Sequence, residues 1–313
     1  MDLIMTEDQA AILAALDVLT RGYAEPALHD APLAATHAGL DRDLREGGFL
    51  DVAADPDLGT QAAAIVVERI ARLPWASEIG ASAFMRPLFA TPPTGPLVLL
   101  DGMRTQRALR FLAPGATVIV LEDDAVTSFV ASADQIRAEP EALYAYPMAT
   151  LLGLPEDRAA LDVSPADLRS RWQAALAAEA AGLLAAALDS TVRYVSEREQ
   201  FGRKLATFQA IRHRLAEAQV RSNGVYWLAM KAAATLDSAD AAMACWYAQE
   251  SARLSVYDFH QFLGGMGMTL EHPLHLWTYR LKALIGELGG RGANALAAAD
   301  ALWPQQDHIG HPM

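Results

Sequence analysis

Apolar residues recur at three- and four-residue intervals over most of the chain, and that period predicts helix. The longest pattern opens at Ser164-Pro165, a capping serine followed by a proline suited to a first turn. Leu176, Ala180, Leu183, Ala187, Thr191 and Val195 then form one face. Ile211, Leu215, Ala218, Val225, Ala229, Ala232 and Leu236 form a second. Residues 240–263 give a third helix and 274–302 a fourth, with a break near Gly289-Gly290. Four long antiparallel helices predict a bundle. Nearer the N-terminus, residues 6–20 begin with Thr6 and Gln9 in capping-box spacing. Residues 60–73 repeat the helical character through Ala64, Val67, Glu68, Ile70 and Ala71. Gly47-Gly48, Pro56, Pro74 and Pro87 cut this part into short helices.

Thr91-Pro92-Pro93-Thr94-Gly95-Pro96 interrupts the helical pattern. Leu97–Leu100, Thr117–Leu121 and Thr127–Val130 follow as short runs, the last two rich in β-branched residues, with Asp123-Asp124 in a turn. The expected fold is mainly α: a helical domain over 1–93, a reduced β region with few strands over 94–162, a four-helix bundle over 163–303 and a loose tail over 304–313.

Composition narrows the function. The 313 residues are 52 % hydrophobic and 20 % charged, which is globular. A net charge of −13 disfavours nucleic acid and anionic membrane as partners. The one cysteine, Cys245, excludes an internal disulfide and a multi-thiolate metal site, and its alanine-rich setting predicts a small buried hydrophobe. The N-terminal stretch lacks a basic segment and a continuous apolar run, and no uncharged apolar stretch reaches membrane-spanning length, so a cytoplasmic protein is expected. His272 and His275 have metal-ligand spacing without a third ligand, so no metal is expected. His213 is expected to pack against a helix, and Met266 and Met268 to pack in a turn. Neither a P-loop nor a nucleophile elbow is present.

One segment runs against the acidic balance. From Arg193 to Arg221 seven basic residues (Arg193, Arg198, Arg203, Lys204, Arg212, Arg214, Arg221) face three acidic ones (Glu197, Glu199, Glu217). Local cations suggest a bound anion, and the planar guanidinium of Arg198 suits a diphosphate. The segment reads Arg198-Glu199-Gln200-Phe201-Gly202, then Phe208-Gln209. A second reads Gln261-Phe262-Leu263-Gly264-Gly265-Met266-Gly267, then Glu271-His272-Pro273. Its glycines follow a helical pattern, not a strand, so they are no dinucleotide-binding Rossmann loop.

In this order and spacing the two segments resemble the C-terminal domain of the acyl-CoA dehydrogenase family. The resemblance is good over about 165–285, looser over 1–90 and poor between about 95 and 160. It implies FAD as cofactor, an acyl-CoA thioester as substrate and α,β-desaturation as the reaction: a carboxylate removes the α proton while the β hydride passes to the flavin. It also implies that this end of the bundle reaches a neighbouring subunit's FAD. Arg198 would hold the pyrophosphate, Phe201 would pack near the dinucleotide and Gln209 would offer an amide. Gln261, Gly264 and Gly265 would form a second contact, the glycines allowing close backbone approach.

The departures are equally informative. No T-E-P-x-x-G-S-D type loop is present, and the 95–160 segment is too short for the family's full β domain. The usual catalytic carboxylate position falls on Leu288, with Glu287 one residue before it. The alternative base position on the first bundle helix is Trp172, and the usual Thr and Gln contacts to the subunit's own flavin fall on Gly290 and Gly292. Residues that would build this chain's own site are thus changed, while those donated to a neighbour are kept. The expectation is the smaller subunit of a heteromeric (α2β2) enzyme, of the kind that resembles steroid and bile-acid side-chain dehydrogenases, with a full-length partner supplying the base and electron-transferring flavoprotein as acceptor. The competing readings are a self-sufficient homo-oligomer using Glu287 and a scaffold that binds no flavin.

Overall fold

The computed structural model describes residues 5–26, 28, 34–102, 105 and 107–303; the tail expected over 304–313 lies outside them. Four helices come first: α1 (Glu7–Thr20), α2 (Ala38–Glu46), α3 (Gly59–Ala71) and α4 (Ile79–Met85). The Thr6 hydroxyl accepts from the Gln9 backbone N–H and the Gln9 side chain accepts in return, the expected capping box.

Among the described residues seven strands follow: β1 (Leu97–Asp101), β2 (Ala108–Arg110), β3 (Thr117–Leu121), β4 (Val126–Val130), β5 (Ile136–Ala138), β6 (Met148–Leu151) and β7 (Ala159–Ala160). They make a four-stranded sheet, β1-β3-β4-β7, and a three-stranded sheet, β2-β6-β5. Within the first, β1 and β3 are parallel and the other neighbours antiparallel. The reduced β region therefore holds more strands than the pattern suggested. β2, β5, β6 and β7 are two to four residues long, too short to show an alternation of their own. Val98, Leu100, Val118, Val120, Phe129 and Leu151 close a separate apolar core there.

The bundle begins with α5 (Pro165–Glu197), capped by Ser164, whose side chain accepts from the Asp167 N–H. A two-stranded hairpin, β8 (Glu199–Gln200) and β9 (Arg203–Lys204), leads to α6 (Gln209–Thr235), α7 (Ser238–Leu263), α8 (Leu274–Ile285) and α9 (Gly290–Leu302). The fourth long helix is thus two helices. A 3₁₀ turn over Glu287–Gly289 parts them, with Leu288 in the left-handed region (φ 53°). The expected inner face of α5 (Leu176, Ala180, Leu183, Ala187, Thr191, Val195) is buried throughout. By length and composition α5 could cross a membrane, but 72 % of its most apolar window is buried inside the protein, as befits a bundle's central helix.

One core joins the bundle to the N-terminal helices. At Gly182 of α5, a Cβ would lie 2.1 Å from the Glu68 carbonyl oxygen, so only glycine lets α3 come this close. Trp277 of α8 donates to the carbonyls of Arg72 (3.0 Å) and Leu73 (3.2 Å). The buried Arg280 donates to those of Trp75 (2.9 Å) and Leu73 (2.6 Å). These bonds satisfy carbonyls left bare at the end of α3 and fix α8 against it. Cys245 is buried, and burial pushes its thiol up. Two smaller expectations fail: His213 is exposed on α6, and Met268 is 77 % exposed.

Candidate functional site

Two places carry chemistry-bearing residues: the end of the bundle where α5 stops, and a chamber where the N-terminal helices, the β region and the bundle meet.

At the bundle end, α5 finishes at Glu197 and Arg198 is its C-cap. The β8–β9 hairpin turns on Phe201 (φ 55°) and Gly202 (φ 76°), the two positive φ values a type I′ turn requires. A left-handed aromatic residue is uncommon and costs about 1 kcal/mol or more, a signature of constrained sites. Phe201 is 87 % exposed, so packing within this chain does not recover that cost. Beside it Phe208, the N-cap of α6, meets Phe201 edge-on at 6.1 Å and carries the Arg203 guanidinium over its ring at 3.9 Å. Gln209 is the first residue of α6 and is exposed.

The second motif lies at the same end. Tyr194 of α5 packs edge-on against His272, and Arg214 near the start of α6 pairs with Asp258 near the end of α7. Gly264 caps α7 with φ 57°. His260 holds the following turn: one ring nitrogen lies 2.7 Å from the Gly267 carbonyl oxygen, the other 2.9 Å from the Thr278 hydroxyl. Burial lowers its pKa and so favours the neutral ring. Gln261, Gly264 and Gly265 are exposed. A Cβ at Gly265 would meet nothing within 4 Å, and its φ is not left-handed, so the chain's own fold does not demand glycine there. Among the described residues, no side-chain hydrogen bond or ion pair engages Arg198, Gln209 or Gln261. The structure therefore brings all six expected residues to one end of the bundle, exposed, with their polar heads uncommitted.

The chamber is built differently. A cavity of about 250 Å³ is walled by α4, β1, β2, α5 and the α8–α9 turn. Arg110, on β2, crosses it. Its Nε donates to Glu287 Oε1 at 2.6 Å, and its Nη1 lies 3.0 Å from both Glu179 oxygens. Trp172 Nε1 donates to the other Glu287 oxygen at 3.0 Å, and the Tyr146 hydroxyl donates to Glu179 Oε1 at 2.5 Å. Burial works against the Arg110 charge, but the two carboxylates hold it well above its usual range. Burial and the adjoining Glu179 carboxylate likewise push the Tyr146 hydroxyl up. Among the described residues, three of the five non-glycine residues with positive φ flank this cluster: Phe111, Ala145 and Leu288.

Glu287, the candidate base, does face the chamber. It stands at the start of the 3₁₀ turn, just before the left-handed Leu288. Its two oxygens are nevertheless taken by Arg110 and Trp172, and Leu288 itself is buried in the core. Glu179 was not anticipated, though it had a signal: one acid in the apolar run of α5, two turns beyond Trp172 and so on the same face. Nor was Glu78, whose side chain caps α4 by accepting from the Ser82 N–H (2.9 Å) and hydroxyl (2.8 Å). Burial pushes its carboxyl up to about 7. Among the described residues no group of three metal-ligating side chains occurs.

A mainly α fold with a reduced β region inserted before a four-helix bundle is the acyl-CoA dehydrogenase architecture. Residues 171–295 match the family described as acyl-CoA dehydrogenase, C-terminal domain. The chain is similar to acyl-CoA dehydrogenase FadE34 of Mycobacterium tuberculosis (strain ATCC 25618 / H37Rv), 32 % identical over 189 residues, 58 % of this chain and 27 % of that protein. The match thus spans about a quarter of that relative's length. In fold it is similar to a chain of the ChsE4-ChsE5 complex from Mycobacterium tuberculosis (TM-score 0.78, 19 % identity, 98 % of this chain and 100 % of that one). It is similar as well to a chain of the Tcur3481-Tcur3483 steroid ACAD (TM-score 0.74, 22 % identity, 96 % and 98 %).

Proposed function

We propose that this chain is a subunit of a heteromeric, FAD-dependent acyl-CoA dehydrogenase and that it completes the FAD site of a full-length partner. The observation that carries this reading is the contrast between the two places. Six residues suited to a dinucleotide stand exposed and uncommitted at the bundle end, while two of the three acidic groups lining the chain's own chamber, Glu179 and Glu287, are bound to Arg110, and the third, Glu78, caps α4.

The residues at the bundle end fit such a cofactor. Arg198 offers a guanidinium to a diphosphate, bidentate where geometry allows. Gln209 and Gln261 offer amides, and Gly264 and Gly265 leave their backbone bare for close approach. Bound FAD would take up the electrons removed from the substrate. This chain's residues would anchor it and keep the partner's site closed to water. The proton-accepting carboxylate would belong to the partner, because Glu287 is already a paired structural anion. The acyl-CoA substrate, a steroid-type acyl group and electron transfer to an electron-transferring flavoprotein are parts of the same proposal. Two fold neighbours named as a ChsE4-ChsE5 complex and a steroid ACAD support them. A scaffold that binds no flavin would have no use for three uncommitted polar heads around a strained aromatic turn.

Co-expression with a full-length acyl-CoA dehydrogenase from the same organism tests the reading. The expected product is a stable yellow complex that Arg198→Ala leaves assembled but strips of FAD. A chain that purifies alone as a yellow, active oligomer overturns it.

A further inference from the structure

The ion cluster leaves part of the chamber open. A cavity of about 250 Å³ lies beside Arg110, walled mostly by the apolar side chains of Leu97, Leu99, Leu109, Phe111, Met148 and Trp172. Tyr144 also lines it and is 39 % exposed, so solvent reaches the cavity on that side. Phe111 and Ala145, chain neighbours of Arg110 and Tyr144, hold left-handed backbone (φ 59° and 52°). Strain of this kind gathers at sites that clamp a ligand.

One charge in the wall is unaccounted for. Arg110 is a single cation between two carboxylates and has no positive charge to spare. Arg107 lines the same cavity but stands outside the ion cluster, and its Nε is buried with no hydrogen-bond partner. Among the described residues its guanidinium pairs with no carboxylate. A buried N–H without an acceptor is costly, so the site favours a ligand that brings one. A hydrocarbon would leave that donor unpaired. A dianion would be repelled by Glu179 and Glu287, which outnumber Arg110. One carboxylate on an apolar body answers both the free guanidinium and the hydrophobic wall.

We infer that the chamber binds a small apolar monocarboxylic acid, its carboxylate on Arg107 and its hydrocarbon body against Phe111, Met148 and Trp172. Size sets the limit. At about 30 Å³ for each water-sized unit, the cavity takes a ligand of roughly ten non-hydrogen atoms. A flavin or a coenzyme A thioester is far larger, so neither is the occupant. The inference does not rest on the heteromer reading, and it gives the chamber a use that needs neither FAD nor a catalytic base.

Phenylacetate is a probe of this size, and phenylacetamide is its uncharged match. Each is titrated into the full chain by isothermal calorimetry. Phenylacetate should bind once per chain, with a dissociation constant of about 1 mM or less. Phenylacetamide should bind about tenfold more weakly or worse, and so should phenylacetate to Arg107→Met, because each loses a charged hydrogen bond. Ala81→Leu, which fills the cavity from α4, should abolish binding. The comparison of acid with amide on the wild type holds whether or not the variants fold. Where only the complex with a partner is soluble, the loss on Arg107→Met assigns the site to this chain. Equal affinity for acid and amide, unchanged binding by a folded Arg107→Met, or no saturable binding of phenylacetate overturns the inference.

Discussion

The bundle end and the chamber use similar side chains in opposite ways. Both hold an arginine beside aromatic rings, and both adjoin strained, left-handed residues. In the chamber the charges are satisfied internally: Arg110 lies between Glu179 and Glu287, and Tyr146 and Trp172 complete their hydrogen bonds. At the bundle end the charge is left open, and Phe201 is held out to solvent in an unfavourable backbone conformation. A group neutralised inside its own chain serves the fold. A group left uncommitted on a strained surface is available to something outside the chain. On the proposed reading, that difference separates the part of the molecule that holds itself together from the part that would serve another subunit.

The largest effect that would break this comparison is at Arg110. Arg110→Ala leaves two partly or fully buried carboxylates without their cation, a change of about 3–5 kcal/mol when a buried pair is broken. Urea unfolding should show that loss, or the variant should fail to fold. Adding Glu179→Gln and Glu287→Gln should recover most of it, since the neutral amides no longer need a counter-ion. A fully stable Arg110→Ala single variant would show that the chamber is not the structural half.

Glu78 gives the next largest effect. Its carboxyl is raised from 4.5 to about 7, so the folded state favours the protonated form. The sign follows from linkage: its stabilising contribution is complete below the unfolded value of 4.5 and is lost as pH rises through about 7. Because the residue is only partly buried, roughly 2 kcal/mol is expected across that window. Glu78→Gln should flatten the stability profile between these pH values, as read by denaturation at several pH points. An unchanged slope would mean that the carboxyl ionises freely.

Gly265→Ala should have the smallest effect on the fold and a clear one on the cofactor. With nothing within 4 Å of the added Cβ, unfolding free energy should move by no more than about 0.5 kcal/mol. FAD retention in the complex should still fall, because a methyl group would stand where the backbone is approached. Equal retention would remove Gly265 from the site.

Much of this was legible in the sequence, for physical reasons that differ by region. The bundle declared itself because long helices repeat their apolar face many times, as α5 does from Leu176 to Val195. The bundle-end residues were legible because local motifs keep their residues close in the chain. The chamber was not. Arg110 sits on a three-residue strand with no period to read, and its partners lie 69 and 177 residues away. Glu287 was seen, but its partners Arg110 and Trp172 lie 177 and 115 residues away in the chain. Contacts made by folding distant segments together leave little trace in local pattern, and the domain junction consists of such contacts.

The most direct test of the central claim is the amount of FAD in the purified complex of this chain with its full-length partner, measured by flavin absorbance against protein mass. One FAD per heterodimer is predicted, because on the proposed reading the partner holds the flavin, and Arg110 crosses this chain's own chamber to bind Glu179 and Glu287. Two FAD per heterodimer would show that the chamber holds a flavin of its own and would contradict the account.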